Sequence, residues 1–424
     1  MTTTDYIKSA FSQFARLIKN GKEEFLLTAG GNLLYLSQTV IQTKIFSTLF
    51  STEAYGKWAL LISVYTLVSM LPFSAFNQGV YRIAYKCREN KEEGQLYSCI
   101  IFSHFGLFLF YSLLFLGLHQ IQGDKYFAHD YSIIFCAYTF SEILKNAWVT
   151  IDNSYRKRKH VFKLRVIDLL SRLLLFYALY YYKQFDIRNV LIVLIITNGF
   201  ILFIQRDYFR KLTFQINNQT FKNITKEIVL FSMPLLIWAV FSWMQNMISR
   251  WYLDEFMDVK AVANYAILTA MASFFPNIFY GIINSFVMPI VYAKQQKISR
   301  TLLLKFLGGI LAVLLVYLVF VVFGGRYIIT IFSDSKYLEV VNYLPLMTLT
   351  TIVYVTAQLS TVEVFRLGQT KRLLIPSILP GLFMATVGYF LIMKYSFEGA
   401  VANFILGQLI YSILTFSVVF KKQK

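Results

Sequence analysis

The chain has 424 residues, of which 57% are hydrophobic and 15% charged, and its mean hydropathy is +0.55. Soluble proteins are nearer to about 45–50% apolar and about 25% charged, so this composition excludes a water-soluble globular domain. The net charge of +19 would suggest a nucleic-acid partner in a soluble protein. In a membrane protein it reflects first the orientation of the loops, and we expect no nucleic-acid partner.

The chain begins with a polar, basic segment, residues 1–21, whose apolar residues recur at roughly helical spacing. It lacks the apolar core of a cleavable signal, so an interfacial amphipathic helix is predicted, with a disordered tail as the alternative. Apolar stretches of membrane-spanning length follow. They lie at about 25–49, 55–77, 95–118, 128–152, 164–183, 188–205, 228–250, 261–287, 301–324, 341–364, 373–393 and 400–420.

The basic residues test both the number of spans and their orientation. Of the 41 Lys and Arg residues, 29 fall in the two termini and one alternate set of loops, and nine fall in the other set. Cytoplasmic loops carry the basic excess, so this alternation predicts twelve spans with both termini cytoplasmic. The run of four basic residues at 156–159 is interpreted first as a topology signal in one of these loops.

The two halves of the chain show a weak internal repeat. A shift of 204 residues aligns Lys22-Glu23 with Lys226-Glu227 and Pro72 with Pro276, and sets Gly30-Gly31 against Pro234. Transporters often consist of two repeated halves with broken helices near the midplane. The repeat therefore predicts two six-helix halves, 1–215 and 216–424, with breaks in helices 1 and 7 and a proline late in helices 2 and 8.

Short motifs at the helix starts resemble those of a known family. Residues 53–58 (EAYGKW) open helix 2, a weaker echo at 262–265 (VANY) opens helix 8, and 398–400 (EGA) opens helix 12. With Arg82 just after helix 2, these resemble bacterial polysaccharide flippases of the O-antigen (Wzx) type, in the multidrug/oligosaccharidyl-lipid/polysaccharide (MOP) exporter superfamily. The resemblance implies an all-α polytopic membrane protein with the MATE-like fold, two six-helix bundles around a central cavity.

The resemblance also implies a function and a location. The expected substrate is an undecaprenyl-diphosphate-linked oligosaccharide, moved across the bacterial inner membrane by alternating access. The expected partners are membrane lipids, this lipid-linked glycan and other polysaccharide-assembly proteins, and the chain is expected to be a monomer. We expect no cofactor and no metal, with H⁺ or Na⁺ as the candidate coupling ion.

Ionisable residues inside the spans are functional candidates, because a charge in hydrocarbon costs about 2.5–3.5 kcal/mol on insertion scales. Glu142 and Lys145 lie three residues apart near the middle of helix 4, and Asp168 and Arg172 four apart in helix 5. Each can be a pair that lowers its own burial cost. Alternatively the cations bind the diphosphate or acidic sugars while Glu142 and Asp168 titrate in an ion-coupled cycle, since guanidinium suits phosphate oxygens.

Weaker candidates for substrate binding lie elsewhere in the spans. Lys44 and Arg250 occupy equivalent ends of helices 1 and 7, where interfacial anchoring is the competing interpretation. Amides on helices 1, 7 and 8 could bind sugars, although interhelical hydrogen bonds explain any single one equally well. The candidate sugar-binding amides are Gln38, Gln42, Asn246 and Asn277.

Three other functions compete with the flippase. A glycan polymerase would share the hydropathy, but enzymes of that kind carry a long periplasmic loop with catalytic arginines, and the segment 325–340 holds only Arg326 and Lys336. A MATE-like drug or cation antiporter would place a coupling carboxylate inside helix 1 or 7, where none is present. A structural scaffold does not explain intramembrane Glu142 and Lys145. We therefore expect a transporter that is not an enzyme.

Overall fold

The computed structural model describes residues 22–122, 129–213, 219–294, 300–362, 364 and 369–421, and throughout these the regular structure is helical. The amphipathic segment predicted at 1–21 lies outside the described residues. We number the long helices α1–α12. The first six are Lys22–Leu49 (α1), Thr52–Glu89 (α2), Glu93–Gln122 (α3), His129–Ser154 (α4), Arg158–Tyr181 (α5) and Ile187–Ile204 (α6).

The remaining long helices form the second half of the chain. Its helices are Gln219–Phe256 (α7), Val259–Lys294 (α8), Arg300–Phe332 (α9), Leu344–Ser360 (α10) and the continuous stretch Leu374–Phe420. Ser396, with φ 50° and ψ −127°, breaks that stretch, and we call its parts α11 (374–395) and α12 (397–420). The fold is therefore all-α with twelve long helices in the described residues, as the sequence predicts.

By length and apolar composition alone, seven helical stretches could each cross a membrane, or eight with the bent α7 included. One of these stretches, Lys371–Phe420, contains both α11 and α12. Helices α1, α4 and α5 are not among them, although they pack inside the bundle. Helix α5 illustrates the reason, because Arg165, Asp168 and Arg172 lower the hydropathy of its sequence.

The predicted helix breaks are only partly confirmed. Helix α2 changes to π-helical hydrogen bonding over Ser69–Ser74, around Pro72, and α7 bends by 44° between Met233 and Leu235. Helix α1, however, runs unbroken through Gly30-Gly31, so the break predicted there is wrong. A Cβ on Gly30 would lie 3.2 Å from the Phe162 ring, so these glycines let α5 pack closely on α1. Helix α8 likewise continues through Pro276.

The described loops lie at two ends of the helix bundle. At the "basic end", the described residues that follow α2, α4 and α6 come together, with Arg88 over the Tyr155 ring and Ser98 Oγ donating a hydrogen bond to Thr213 O. At the "opposite end", the α1–α2 turn meets the segment after α9, where Lys336 Nζ donates to Phe50 O at 2.6 Å.

The halves α1–α6 and α7–α12 touch through different parts of α2. Its first part, Thr52–Val68, packs on α8, and its last part, Ala75–Glu89, packs on α7. The largest hydrophobic core lies at the opposite end and contains side chains of both halves, including Phe46, Trp58 and Tyr337. A second core joins α2, α3 and α4 to the start of α7 near the basic end.

Candidate functional site

An ionic network lies inside the first half, between α1, α4, α5 and α6. At its centre Lys145 Nζ is 2.9 Å from Glu142 Oε1 and 3.2 Å from Asp168 Oδ2. The same ammonium donates to Asn198 Oδ1 of α6 at 2.9 Å. All three N–H bonds of Lys145 can therefore be used by protein acceptors.

Arg172 connects the same two carboxylates from the other side. Its Nε donates to Asp168 Oδ1 at 2.8 Å, and its Nη2 donates to Glu142 Oε2 at 3.0 Å. Nη2 also lies 3.2 Å from Asn198 Oδ1. The planar guanidinium thus spans two carboxylates, a geometry that the point charge of a lysine does not provide.

Uncharged groups complete the network. Asn198 is fully buried and donates from Nδ2 to Ser141 Oγ at 3.0 Å, while Gln38 of α1 donates to Asp168 Oδ2 at 3.4 Å. Two cations and two carboxylates give a formal charge of zero. A balanced, hydrogen-bonded set lowers the cost of burying charge, which an isolated ion in this position could not do.

Access to the network is unequal. The side chains of Lys145 and Arg172 are 6% and 8% exposed, whereas those of Glu142 and Asp168 are 12% and 14% exposed. The two carboxylates are therefore slightly more exposed than the two cations. The described residues contain no group of three or more His, Cys, Asp and Glu side chains that could hold a metal ion.

The two pairs predicted within single helices, Glu142–Lys145 and Asp168–Arg172, are both in contact. The sequence did not predict that they join in one network. Sequence spacing shows which residues share a face of one helix, but not which faces of α4, α5 and α6 meet. Asn198 was missed for the same reason. Its signal in the sequence is an amide within the apolar span Ile187–Ile204, where burying an unpaired polar group is costly.

Lys44 and Arg250 lie apart from the network. Lys44 Nζ donates to Thr330 O at 2.7 Å and to Ser333 O, so it binds the last carbonyls of α9 and ties α1 to the second half. Arg250 Nη1 donates to Ala59 O at 3.2 Å across the α2–α7 contact. Both therefore contact backbone carbonyls between the halves, and their proposed role in substrate binding stays a prediction.

The remaining predicted amides are scattered. Asn246 and Asn277 are exposed, and Asn246 Nδ2 donates to Ser242 O at 2.7 Å on its own helix. Gln42 is half-buried, and its Nε2 has no hydrogen-bond partner among the described residues. The structure thus joins only Gln38 of this set to the charged residues.

The motif at 53–58 lies where the halves meet at the opposite end. A Cβ on Gly56 would stand 2.0 Å from Val259 O, so only glycine allows this approach of α2 to α8. Glu53 pairs with Lys260 at 3.4 Å, and the Tyr55 ring lies 5.9 Å from that of Tyr337. These residues therefore pack the two halves together rather than lining a site.

No protein-family model matches the sequence, and no curated protein matches it. The fold of the chain, however, matches solved structures. A multidrug resistance MATE family transporter of the MOP superfamily, in an inward-facing conformation, is 12% identical with a TM-score of 0.73, over 91% of this chain and 93% of that one. A mutant of the Vibrio cholerae MATE transporter VcmN is 14% identical with a TM-score of 0.66, over 97% and 98%.

An outward-facing MATE family transporter of the MOP superfamily is 15% identical with a TM-score of 0.59, over 94% of this chain and 99% of that one. The chain thus has the MATE-like fold of MOP superfamily transporters.

Proposed function

We propose that the chain is a flippase that moves an undecaprenyl-diphosphate-linked oligosaccharide, such as an O-antigen or similar surface-polysaccharide unit, across the bacterial inner membrane. The basic end faces the cytoplasm in this proposal, so both termini are cytoplasmic. The transporter fold and the flippase-like motifs support it, and the buried ionic network of the first half is the observation that carries it.

The network suggests how ion coupling would act on an anionic substrate. In the structure Lys145 and Arg172 are neutralised by Glu142 and Asp168. If H⁺ or Na⁺ neutralises those carboxylates, the network gains up to two positive charges and attracts phosphate oxygens. Loss of the ion restores the internal pairs and releases the headgroup. The slightly greater exposure of the two carboxylates is consistent with this exchange.

The exposed amides extend this proposal to the sugars. Asn246 and Asn277 are exposed on apolar helices of the second half. Asn246 has one partner, Ser242 O on its own helix, and the remaining polar atoms of an exposed amide would lack partners in lipid hydrocarbon. We therefore propose that Asn246 and Asn277 lie on the wall of a water-filled cavity. Sugar hydroxyls both donate and accept hydrogen bonds, as do amides.

The test uses the purified full chain in liposomes. We expect it to move a fluorescent undecaprenyl-diphosphate oligosaccharide between leaflets, and the double variant E142Q/R172M to lose most of this movement while remaining folded. That variant removes one charge of each sign, so the net charge of the network stays zero. Lys57→Gln, at the opposite end, is the control and should flip normally.

The second candidate is a drug or cation antiporter, which the likeness to multidrug resistance MATE transporters favours. The same liposomes, loaded to report ethidium transport, separate the two functions. Ethidium transport without glycolipid movement would replace the flippase with the antiporter. Orientation is tested in cells, where reporters fused after Lys91, Lys159 and Arg300 should all indicate cytoplasm.

A further inference from the structure

A basic pocket opens at the basic end, away from the ionic network. It has a volume of about 830 Å³ and lies where α4 ends, α5 begins and α6 ends. Two segments supply its charge: 156–160, which follows α4, and 205–211, which follows α6. The six cationic side chains that line it are those of Arg156, Lys157, Arg158, Lys159, Arg210 and Lys211.

Among the described residues that line the pocket, cationic side chains outnumber acidic ones. Asp207 is the one acidic residue among them, and it pairs with Arg210 at 3.5 Å in a strongly exposed contact. Cations gathered around one cavity repel one another and raise the local positive potential. The requirement for basic cytoplasmic loops accounts for the charges at this end but not for their arrangement around a cavity.

A buried carboxylate beneath the pocket fixes its floor. Asp152 is fully buried, accepts a hydrogen bond from the Tyr208 hydroxyl, and accepts another from Gln205 Nε2 at 3.0 Å. It also lies 3.4 Å from Lys157 Nζ, which sits 4.9 Å from the centre of the Tyr208 ring. Asp152 therefore holds Lys157 and both pocket-lining segments in place, so the pocket is preorganised for a ligand.

The position of the pocket indicates a ligand at the membrane surface. Leu27 of α1 and Ile204 at the end of α6 add apolar side chains to its lining, and the spans end at this level. Helix α5 also begins here, and its N-cap residue Lys157 makes no side-chain cap. A helix N-terminus beside Arg and Lys side chains favours phosphate oxygens.

We propose that this pocket binds the phosphate group of an anionic membrane lipid. Basic pockets between helix ends on the cytoplasmic side have the chemistry to bind lipid headgroups, and the apolar side chains at the rim suit the glycerol and upper acyl chains. The site is separate from the ionic network, so it can exist whichever substrate the protein carries.

The test measures lipid binding to the purified full chain in a neutral detergent. Native mass spectrometry gives the apparent Kd for dioleoylphosphatidylglycerol, with dioleoylphosphatidylcholine as the neutral probe. Calorimetry with inorganic pyrophosphate measures whether a soluble phosphate binds the same pocket. The pocket variant is R156Q/K159Q/K211Q, and the matched control K91Q/K222Q/K226Q removes three exposed charges elsewhere at the same end.

We expect the pocket variant to weaken phosphatidylglycerol binding about a hundredfold, since each of the three Lys or Arg side chains near an anionic surface contributes about fivefold. The control variant should change it less than threefold. Tight pyrophosphate binding that the pocket variant also weakens would identify a soluble phosphate as the ligand at the same site. Equal losses in the two triple variants, or none in either, would overturn the proposal, because general surface charge would then explain the binding.

Discussion

The first six long helices and the last six differ in the buried polar contacts that the structure describes. In α1–α6 four ionised side chains and Asn198 form one network across three helices. In α7–α12 the buried asparagine Asn403 of α12 makes neutral hydrogen bonds instead, donating to Ser249 Oγ at 3.0 Å and to Met384 O at 3.2 Å. The predicted repeat of the two halves therefore does not extend to these two polar sites.

This difference suggests that the two halves have different roles in transport. Neutral hydrogen bonds in a low-dielectric interior hold one arrangement, because no ion changes their partners. An ionic network can be rearranged by a single proton or cation, since each member interacts strongly with several others. We therefore expect substrate and ion chemistry to be concentrated in the first half, with the second half as the more rigid partner.

The largest effect should come from removing one charge of the network. Arg172→Met leaves two carboxylates facing only Lys145, so we expect a loss of about 3–5 kcal/mol in the free energy of unfolding. The double variant R172M/D168N restores neutrality and should recover more than half of that loss. Chemical unfolding in detergent measures both. If the double variant is as unstable as the single one, packing around Arg172 and not charge balance sets its contribution.

The next comparison is between the two buried asparagines. Asn198→Ala removes an acceptor shared by Lys145 and Arg172, and bonds to charged groups are the stronger class, so we expect a loss of about 2–3 kcal/mol. Asn403→Ala, the matched variant in the second half, removes neutral bonds and should cost about 1–2 kcal/mol. The same unfolding measurement compares them. Equal losses would contradict the chemical asymmetry of the halves.

A smaller effect is expected where the halves touch. Gly56→Ala places a Cβ against Val259 O, so the backbone must shift. We expect the packing of α2 on α8 at the opposite end to become less stable by about 1–3 kcal/mol. Disulfide formation between E53C and K260C reports this packing, and its yield should fall in the Gly56 variant. Gly106→Ala, at a position with open space around it, is the control. An unchanged yield would show that α2 and α8 are free to separate.

The smallest effect concerns the ion pair at the same end. Glu53 and Lys260 are 62% and 58% exposed, and exposed pairs of this kind contribute about 0–1 kcal/mol. Lys260→Ala should therefore leave the unfolding midpoint almost unchanged, and Lys57→Ala is the control. A large shift would mean that this pair acts as a latch between the halves, with an importance equal to that of the buried network.

Much of the fold could be predicted from the sequence, because hydropathy and basic residues report directly on spans and loops. The predicted span at 164–183 shows this, since it lies almost wholly within Arg158–Tyr181 despite its four charged residues. Pro72 and the bend near Pro234 were also indicated, since proline removes a backbone donor. Gly30-Gly31 was misinterpreted, because glycine in a helix can serve close packing as well as a break.

The site was less predictable. Spacing on one helix gave the pairs Glu142–Lys145 and Asp168–Arg172, but the network depends on the rotation of α6 about its axis, which sets where Asn198 points. Lys44 is a similar case. Its partners Thr330 and Ser333 are far away in sequence, so no local pattern could show that it binds the end of α9.

The π-helical segment Ser69–Ser74 has a mechanical consequence. Before these residues helix α2 packs mainly on α8 and also contacts α7, and after them it packs on α7. Pro72 has no backbone N–H, so bending α2 here breaks fewer hydrogen bonds than bending it elsewhere. In the alternating access that we propose, the two ends of α2 can therefore move by different amounts, and one wide helical turn absorbs the difference.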